Sequence, residues 1–128
     1  MTAASAVLDP ASEISAAALD AAYSALASRK RREVLRILNE AERNEHWAEE
    51  RFGERAAYFR GSSCCSSEVC ACGLAEWLHL APSTVSHHMH RLIEAGLVSM
   101  RKEGTWVYYS LQREALKQAL LPLLELAS

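Results

Sequence analysis

The chain has 128 residues, half of them hydrophobic, with a formal net charge of −2 and a pI near 6.2. This length suits one domain whose core is small enough to gain from dimerisation. The near-neutral charge excludes binding of nucleic acid through bulk charge alone, but not a local basic face.

Residues 1–12 are expected to form a mobile tail, because Asp9-Pro10 is a turn signal among small residues. The start of the chain shows no basic segment followed by a sustained apolar run. Neither a signal peptide nor a membrane span is therefore expected, and the chain is read as cytoplasmic with no membrane partner. The folded unit is expected over 13–128, with an inserted excursion at about 41–66. Leu19, Tyr23 and Leu26 at helical spacing predict a helix from Ser15 to about Ala27. Val34, Leu35, Ile37 and Leu38 predict a second from about Lys30 to Glu40. Its first turn holds Arg29, Lys30, Arg31 and Arg32, opposing the helix dipole. That turn is either simply solvated or set against DNA phosphates.

The excursion is highly charged, with Trp47, Phe52, Ala56 and Phe59 as sparse apolar anchors. It predicts a partly helical stretch interrupted near Gly53, then a flexible Gly-Ser-Ser-Cys-Cys-Ser-Ser loop. All four cysteines fall close together, at Cys64, Cys65, Cys70 and Cys72. In a reducing compartment such clustering points to metal or redox chemistry rather than to a structural disulfide.

A third helix is predicted to start at Ser67 or Glu68 and run to about Leu78, burying Val69, Leu74, Trp77 and Leu78. After a tight connection, Pro82 suits the first position of a fourth helix, and Gly96 suits its C-terminal cap. Val85, Met89, Leu92 and Ile93 fall on one arc of this helix at ~100° per residue. Ser83, Thr84, Ser86, His87, His90 and Arg91 fall on or near the other. Short polar and basic side chains of this kind read base edges in a major groove, although an ordinary solvated face has the same pattern. His88 lies at the edge of the core arc and is read as a hydrogen-bonded packing histidine. His46 and His79 are read as solvated or packing residues.

The period then changes. Leu97–Lys102 and Thr105–Ser110 predict strands joined at Glu103-Gly104. Arg101 and Lys102 near the tip suit phosphates, or equally a soluble turn. Trp106 and Tyr108 are read as packing, and Tyr109 faces either way. A last helix from about Gln112 to Leu126 carries Leu116, Leu120, Leu121, Leu123 and Leu124 over so wide an arc that it needs a second burial partner, a homodimer. Pro122 should kink or shorten it. The fold class is mainly α with a β-hairpin wing: a winged helix-turn-helix in the order α-α-α-α-β-β-α.

Four blocks carry a resemblance over about residues 15–126, apart from the excursion. They are Glu68-Val69-Cys70-Ala71-Cys72-Gly73-Leu74, Ser83-Thr84-Val85-Ser86-His87-His88-Met89, Glu94-Ala95-Gly96-Leu97-Val98 and Gly104-Thr105-Trp106-Val107-Tyr108-Tyr109. Their order and spacing resemble the ArsR/SmtB family of metal-responsive repressors, most closely its arsenic-responsive members. The resemblance implies a homodimeric repressor that binds double-stranded operator DNA and releases it on metal binding. The sequence departs from the family in three places. Ser28-Arg29-Lys30-Arg31 replaces the usual Asp-Pro-Thr-Arg. The link between the second and third helices is longer than usual. Ala75 stands where a third cysteine is usual.

The resemblance supplies Cys70 and Cys72 as ligands, with Cys64 or Cys65 as the candidate third. Soft thiolates select soft ions, and trivalent arsenic and antimony favour three thiolates in a pyramid. Arsenite or antimonite is thus the expected inducer, with cadmium or lead open at the four thiols. A thiol redox switch is the other reading. Zinc is disfavoured because Cys-x₂-Cys knuckles are missing, and residues 112–128 hold none of the His, Cys or Asp that the family's alternative site needs. No phosphate loop, nucleophile turn or acidic pair accompanies the cysteines, so an enzyme is not expected. If residues 70 and 72 both lie on an α-helix they are ~200° apart, and one ion could join them only by unwinding or tilting that turn.

Overall fold

The computed structural model describes residues 15–55 and 68–128. Helix α1 (Ala16–Leu26) opens on Ser15, whose hydroxyl accepts from the Ala18 N–H at 3.1 Å. Helix α2 (Arg29–Arg43) opens on Ser28 in the same way, accepting from the Arg31 N–H at 3.3 Å. Serine thus supplies the cap that the altered Ser28-Arg29-Lys30-Arg31 start requires. A short helix α3 (Trp47–Phe52) follows and stops at Gly53, whose φ of +60° takes the chain into a 3₁₀ turn over Gly53–Arg55. The excursion is therefore partly helical and interrupted where expected. Cys64, Cys65 and the expected Gly/Ser loop lie outside the described residues, as does the expected tail.

The next elements are strand β1 (Val69–Cys70), helix α4 (Ala71–Leu78), helix α5 (Pro82–Glu94), strands β2 (Val98–Glu103) and β3 (Trp106–Leu111), and helix α6 (Arg113–Ala127). The strands form one antiparallel sheet in the order β1-β3-β2. The wing thus has a third strand that the expected order lacked. It also corrects the start of α4: Val69 and Cys70 are extended and paired to Tyr109 and Tyr108, so the helix begins only at Ala71. Two residues carry no readable period. Their strand state comes from a partner far along the chain.

Helix α4 ends at His79 in the left-handed conformation, φ +56°. With Leu80 and Ala81, this makes the tight connection to α5, where Pro82 occupies the first turn as expected. Gly96, at φ +77°, turns the chain from α5 into β2. Helix α6 continues past Pro122 to Ala127, so the proline does not shorten it.

The core joins all these elements. Val34 and Leu38 of α2, Leu74 of α4, and Val85, Met89 and Leu92 of α5 are buried together with Leu97. Trp47 of the excursion joins them at 1% exposure and stacks on Trp77 at 6.0 Å between centroids. Helix α6 packs on α1, where the Tyr23 hydroxyl donates to the Ala119 carbonyl at 2.8 Å. Yet Leu121, Leu123, Leu124 and Leu126 of α6 stay 47–82% exposed.

Burial of Trp47 makes α3 part of the core rather than a surface appendage. Trp47→Ala is expected to destabilise the fold by about 3–5 kcal/mol in urea unfolding. A loss under about 1 kcal/mol would mean that the excursion packs only loosely.

Candidate nucleic-acid interface and thiol site

Helix α5 separates its two faces as the sequence predicts. Val85, Met89 and Leu92 are at 0–1% exposure. Ser83, Thr84, Ser86, His87, His90 and Arg91 are all exposed along the other side. His90 pairs with Glu94 one turn on, at 3.3 Å between Nε2 and the carboxylate. His46 is solvent-exposed beside Glu45, and His79 is spent on the turn.

His88 is a packing histidine, as read. Its Nδ1 lies 3.2 Å from the Arg31 guanidinium. The guanidinium can only donate, so Nδ1 is the acceptor and the proton of the neutral ring sits on Nε2. Arg31 also donates to the carbonyls of Ala25 (2.8 Å) and Ser24 (3.4 Å), and Arg32 to that of Leu26 (2.7 Å). The basic turn of α2 is therefore tied to the C-terminal end of α1, where positive charge is favourable. Arg31 fastens α1, α2 and α5 together. The sequence marked its charge but not its destination.

Desolvation, then the charges of Arg31, His87 and Lys30, hold the His88 pKa below its ordinary value. A lowered folded value means the native state binds fewer protons than the unfolded state in the interval between the two values. Stability from this source is thus full above the unfolded value near 6.5 and is lost as pH falls through the folded one. His88→Asn retains an acceptor near the Nδ1 position without titrating. The difference in unfolding free energy between wild type and variant should therefore change below pH 6.5 in favour of Asn. A pH-independent difference would contradict the neutral-acceptor assignment.

In the wing, Lys102 is exposed at the tip. Arg101 is engaged elsewhere. Its guanidinium lies over the Tyr108 ring, 4.7 Å from the centroid, and grips both carboxylate oxygens of Glu68 at 2.9–3.1 Å. Glu103 adds a longer contact at 3.6 Å. In the sequence Glu68 reads as the start of a helix, whereas in the folded chain it precedes β1. The signal available was its spacing from Cys70, which puts both on one face of a strand. Tyr108 and Tyr109 are both buried.

The two described cysteines differ sharply. Cys72, in the first turn of α4, is exposed. Cys70 is completely buried against Tyr108, with Phe52 and Trp106 packed on the pair. Its backbone is extended at ψ 158°, and its sulfur caps α4 by accepting from the Gly73 N–H at 3.3 Å. The premise that residues 70 and 72 share a helix is therefore corrected: Cys70 precedes it. Burial pushes the Cys70 thiol above its ordinary pKa, with the Gly73 N–H opposing. The donors have the right softness for a thiophilic ion. Among the described residues, however, no three His, Cys, Asp or Glu side chains converge on one point.

Residues 62–100 match the family described as "Bacterial regulatory protein, arsR family". The chain is similar to the cadmium resistance transcriptional regulatory protein CadC homolog of Staphylococcus aureus, 43% identical over 51 residues, which cover 40% of this chain and 42% of the relative. It is similar to the arsenic resistance transcriptional regulator ArsR1 of Pseudomonas putida, 43% identical over 47 residues, 37% of each chain. The arsenical resistance operon repressor of Bacillus subtilis is 35% identical over 51 residues, 40% of this chain and 49% of the relative. The matched segment thus spans less than half of each of these relatives. Among solved structures, the ArsR family transcriptional regulator RHA00566 superposes with a TM-score of 0.63 at 18% identity, covering 90% of this chain and 92% of that one. NolR from Sinorhizobium fredii gives 0.52 at 24% identity, covering 93% of both. These likenesses establish the fold as a winged helix-turn-helix.

Proposed function

This chain carries a helix-turn-helix domain of the bacterial arsR regulatory family over residues 62–100, and from that premise we propose that it is a transcriptional repressor released from operator DNA by a thiophilic ion. The observation that carries the reading is the position of Cys70 and Cys72 at the head of α4, the helix packed directly on α5. Helix α5 enters the major groove and presents Ser83, Thr84, Ser86, His87 and Arg91 to base edges, with His90 beside them. Lys102 meets phosphate at the wing tip, and Arg101 lends charge from its place over Tyr108.

The protein works as a homodimer in the cytoplasm, where its thiols stay reduced. The exposed leucines of α6 supply the dimer face. A two-fold dimer sets its reading helices about 34–36 Å apart, one turn of DNA. The Leu121→Glu/Leu124→Glu variant should sediment as a monomer and bind operator at least about tenfold more weakly. A dimer of unchanged affinity would move the interface elsewhere.

Trivalent arsenic or antimony is the proposed inducer, bound by Cys70 and Cys72 with Cys64 or Cys65 as the third thiolate. Drawing Cys70 into such a site removes the sulfur cap of α4 and unpairs β1 from the wing. Either change alters the support beneath α5, and about 1.4 kcal/mol of coupling weakens binding tenfold. Cadmium or lead is the second reading, favoured by the similarity to the CadC homolog.

Fluorescence anisotropy on DNA from upstream of its own gene tests both readings, with reduced protein titrated with arsenite, antimonite, cadmium, lead and zinc. Arsenite or antimonite should release the protein at the lowest concentration. Cys70→Ser and Cys64→Ser/Cys65→Ser should abolish release while leaving binding within about twofold. Release by cadmium alone would transfer the assignment to the second reading. Release by oxidant alone would refute both.

A further inference from the structure

We propose that Glu68 and Arg101 form a latch across the wing that keeps the Cys70 thiol shut in its pocket. The proposal rests on the reading of Cys70 as the ion-responsive thiol. It adds two residues that govern access to that thiol without ligating anything.

Cys70 of β1, Tyr108 of β3 and Arg101 of β2 are directly opposite one another across the sheet, so all three side chains share one face. Tyr108, at 0% exposure, covers the thiol from the middle strand. Arg101 reaches over the Tyr108 ring from the far strand and takes both oxygens of Glu68, two residues before Cys70. One side chain thus spans the sheet and fastens the outer strand to the opposite edge.

That outer strand needs fastening. β1 is only two residues long, shorter than strands that usually hold their own pairing. The Glu68 side chain is 12% exposed and that of Arg101 38%. The carboxylate is therefore shielded while the guanidinium stays partly exposed, and the forked geometry is the strong kind. The Cys70 sulfur is enclosed by Tyr108, with Phe52 and Trp106 packed on the pair, so lifting β1 away draws the thiol out from all of them, and that movement separates Glu68 from Arg101. Cys72 lies beyond this strap and is exposed without it. Among the described residues, then, one thiol is exposed and one is held behind a latch.

The test is the accessibility of Cys70 in a protein whose other cysteines are serine (Cys64→Ser, Cys65→Ser, Cys72→Ser). The probe is a chromogenic aromatic disulfide that releases one aryl thiolate per thiol labelled. Glu68→Gln and Arg101→Gln should each speed labelling by about tenfold, the scale of one bidentate charged pair. The double variant should be no faster than the faster single one. Arg101→Lys, which keeps the charge but loses the fork, should fall between and serves if Arg101→Gln does not fold. The exchanged pair Glu68→Arg/Arg101→Glu should recover slow labelling. Arg113→Gln, which removes a remote ion pair to Glu42, should leave the rate unchanged.

Opposite shifts in the two single variants would overturn the latch. In that case the groups act on the thiol only through their fields, the carboxylate slowing its reaction and the guanidinium speeding it. Unchanged rates would overturn it too, as would acceleration matched by Arg113→Gln at equal loss of stability. Arsenite uptake by the native protein, followed by absorbance, keeps the two proposals apart. Faster labelling in the latch variants with no uptake by the native chain sustains the latch and removes the ion reading. Cys70-dependent uptake with unmoved labelling rates does the reverse.

Discussion

The rest of the structure depends on where the sulfur of Cys70 sits. This one residue is the last of strand β1, the N-cap of α4 and half of a buried contact with Tyr108. Each role uses a different part of it. Its backbone pairs with the wing, its sulfur accepts the Gly73 N–H, and its side chain fills space beneath a tyrosine. A cap, a strand pairing and a packed side chain are each modest stabilising elements. Together in one residue they make the head of α4 and the edge of the wing a single mechanical unit. Helix α4 in turn packs on α5, so the exposed polar face of α5 is backed by a helix that a thiol caps.

Arg31 makes a second attachment to α5. It ties the end of α1 to the start of α2 and to His88. Helix α5 is thus held by a buried apolar arc, by the Arg31 contact through His88, and by α4 with its sulfur cap. Only the last of these contains a thiol. Under the proposed function, a ligand acting at that point would change one support of α5 and leave the others in place. That is how a local event shifts a two-state equilibrium without unfolding the domain.

Much of this was legible in the sequence, where the determinants are local. The core arc of α5, its exposed polar face, the Pro82 start and the Gly96 turn all follow from spacing and backbone preference. So does the interruption of α3 at Gly53. His88 could be read as a packing residue because it lies at the edge of the apolar arc. Other features were not legible, because their causes lie far along the chain. Val69-Cys70 becomes a strand through pairing with Tyr109 and Tyr108, and its two residues are too few for a period of two to show. Arg101 reads as a free wing charge until Glu68 is brought to it across Tyr108. Arg31 reads as an unfavourable charge at a helix start until the end of α1 is placed beside it. The cysteines were found by their clustering, but the contrast between buried Cys70 and exposed Cys72 exists only in the folded chain.

In the proposed function β1 leaves the wing when Cys70 takes an ion, and the amide hydrogen exchange of residues 68–73 and 106–111 tests this most directly. The protein should be compared with and without a saturating soft ion such as arsenite. The account predicts that the ion removes protection from Val69, Cys70 and their partners on β3, while the buried arc of α5 keeps its protection. An ion-bound protein with both sulfurs ligated and β1 as protected as before would contradict it.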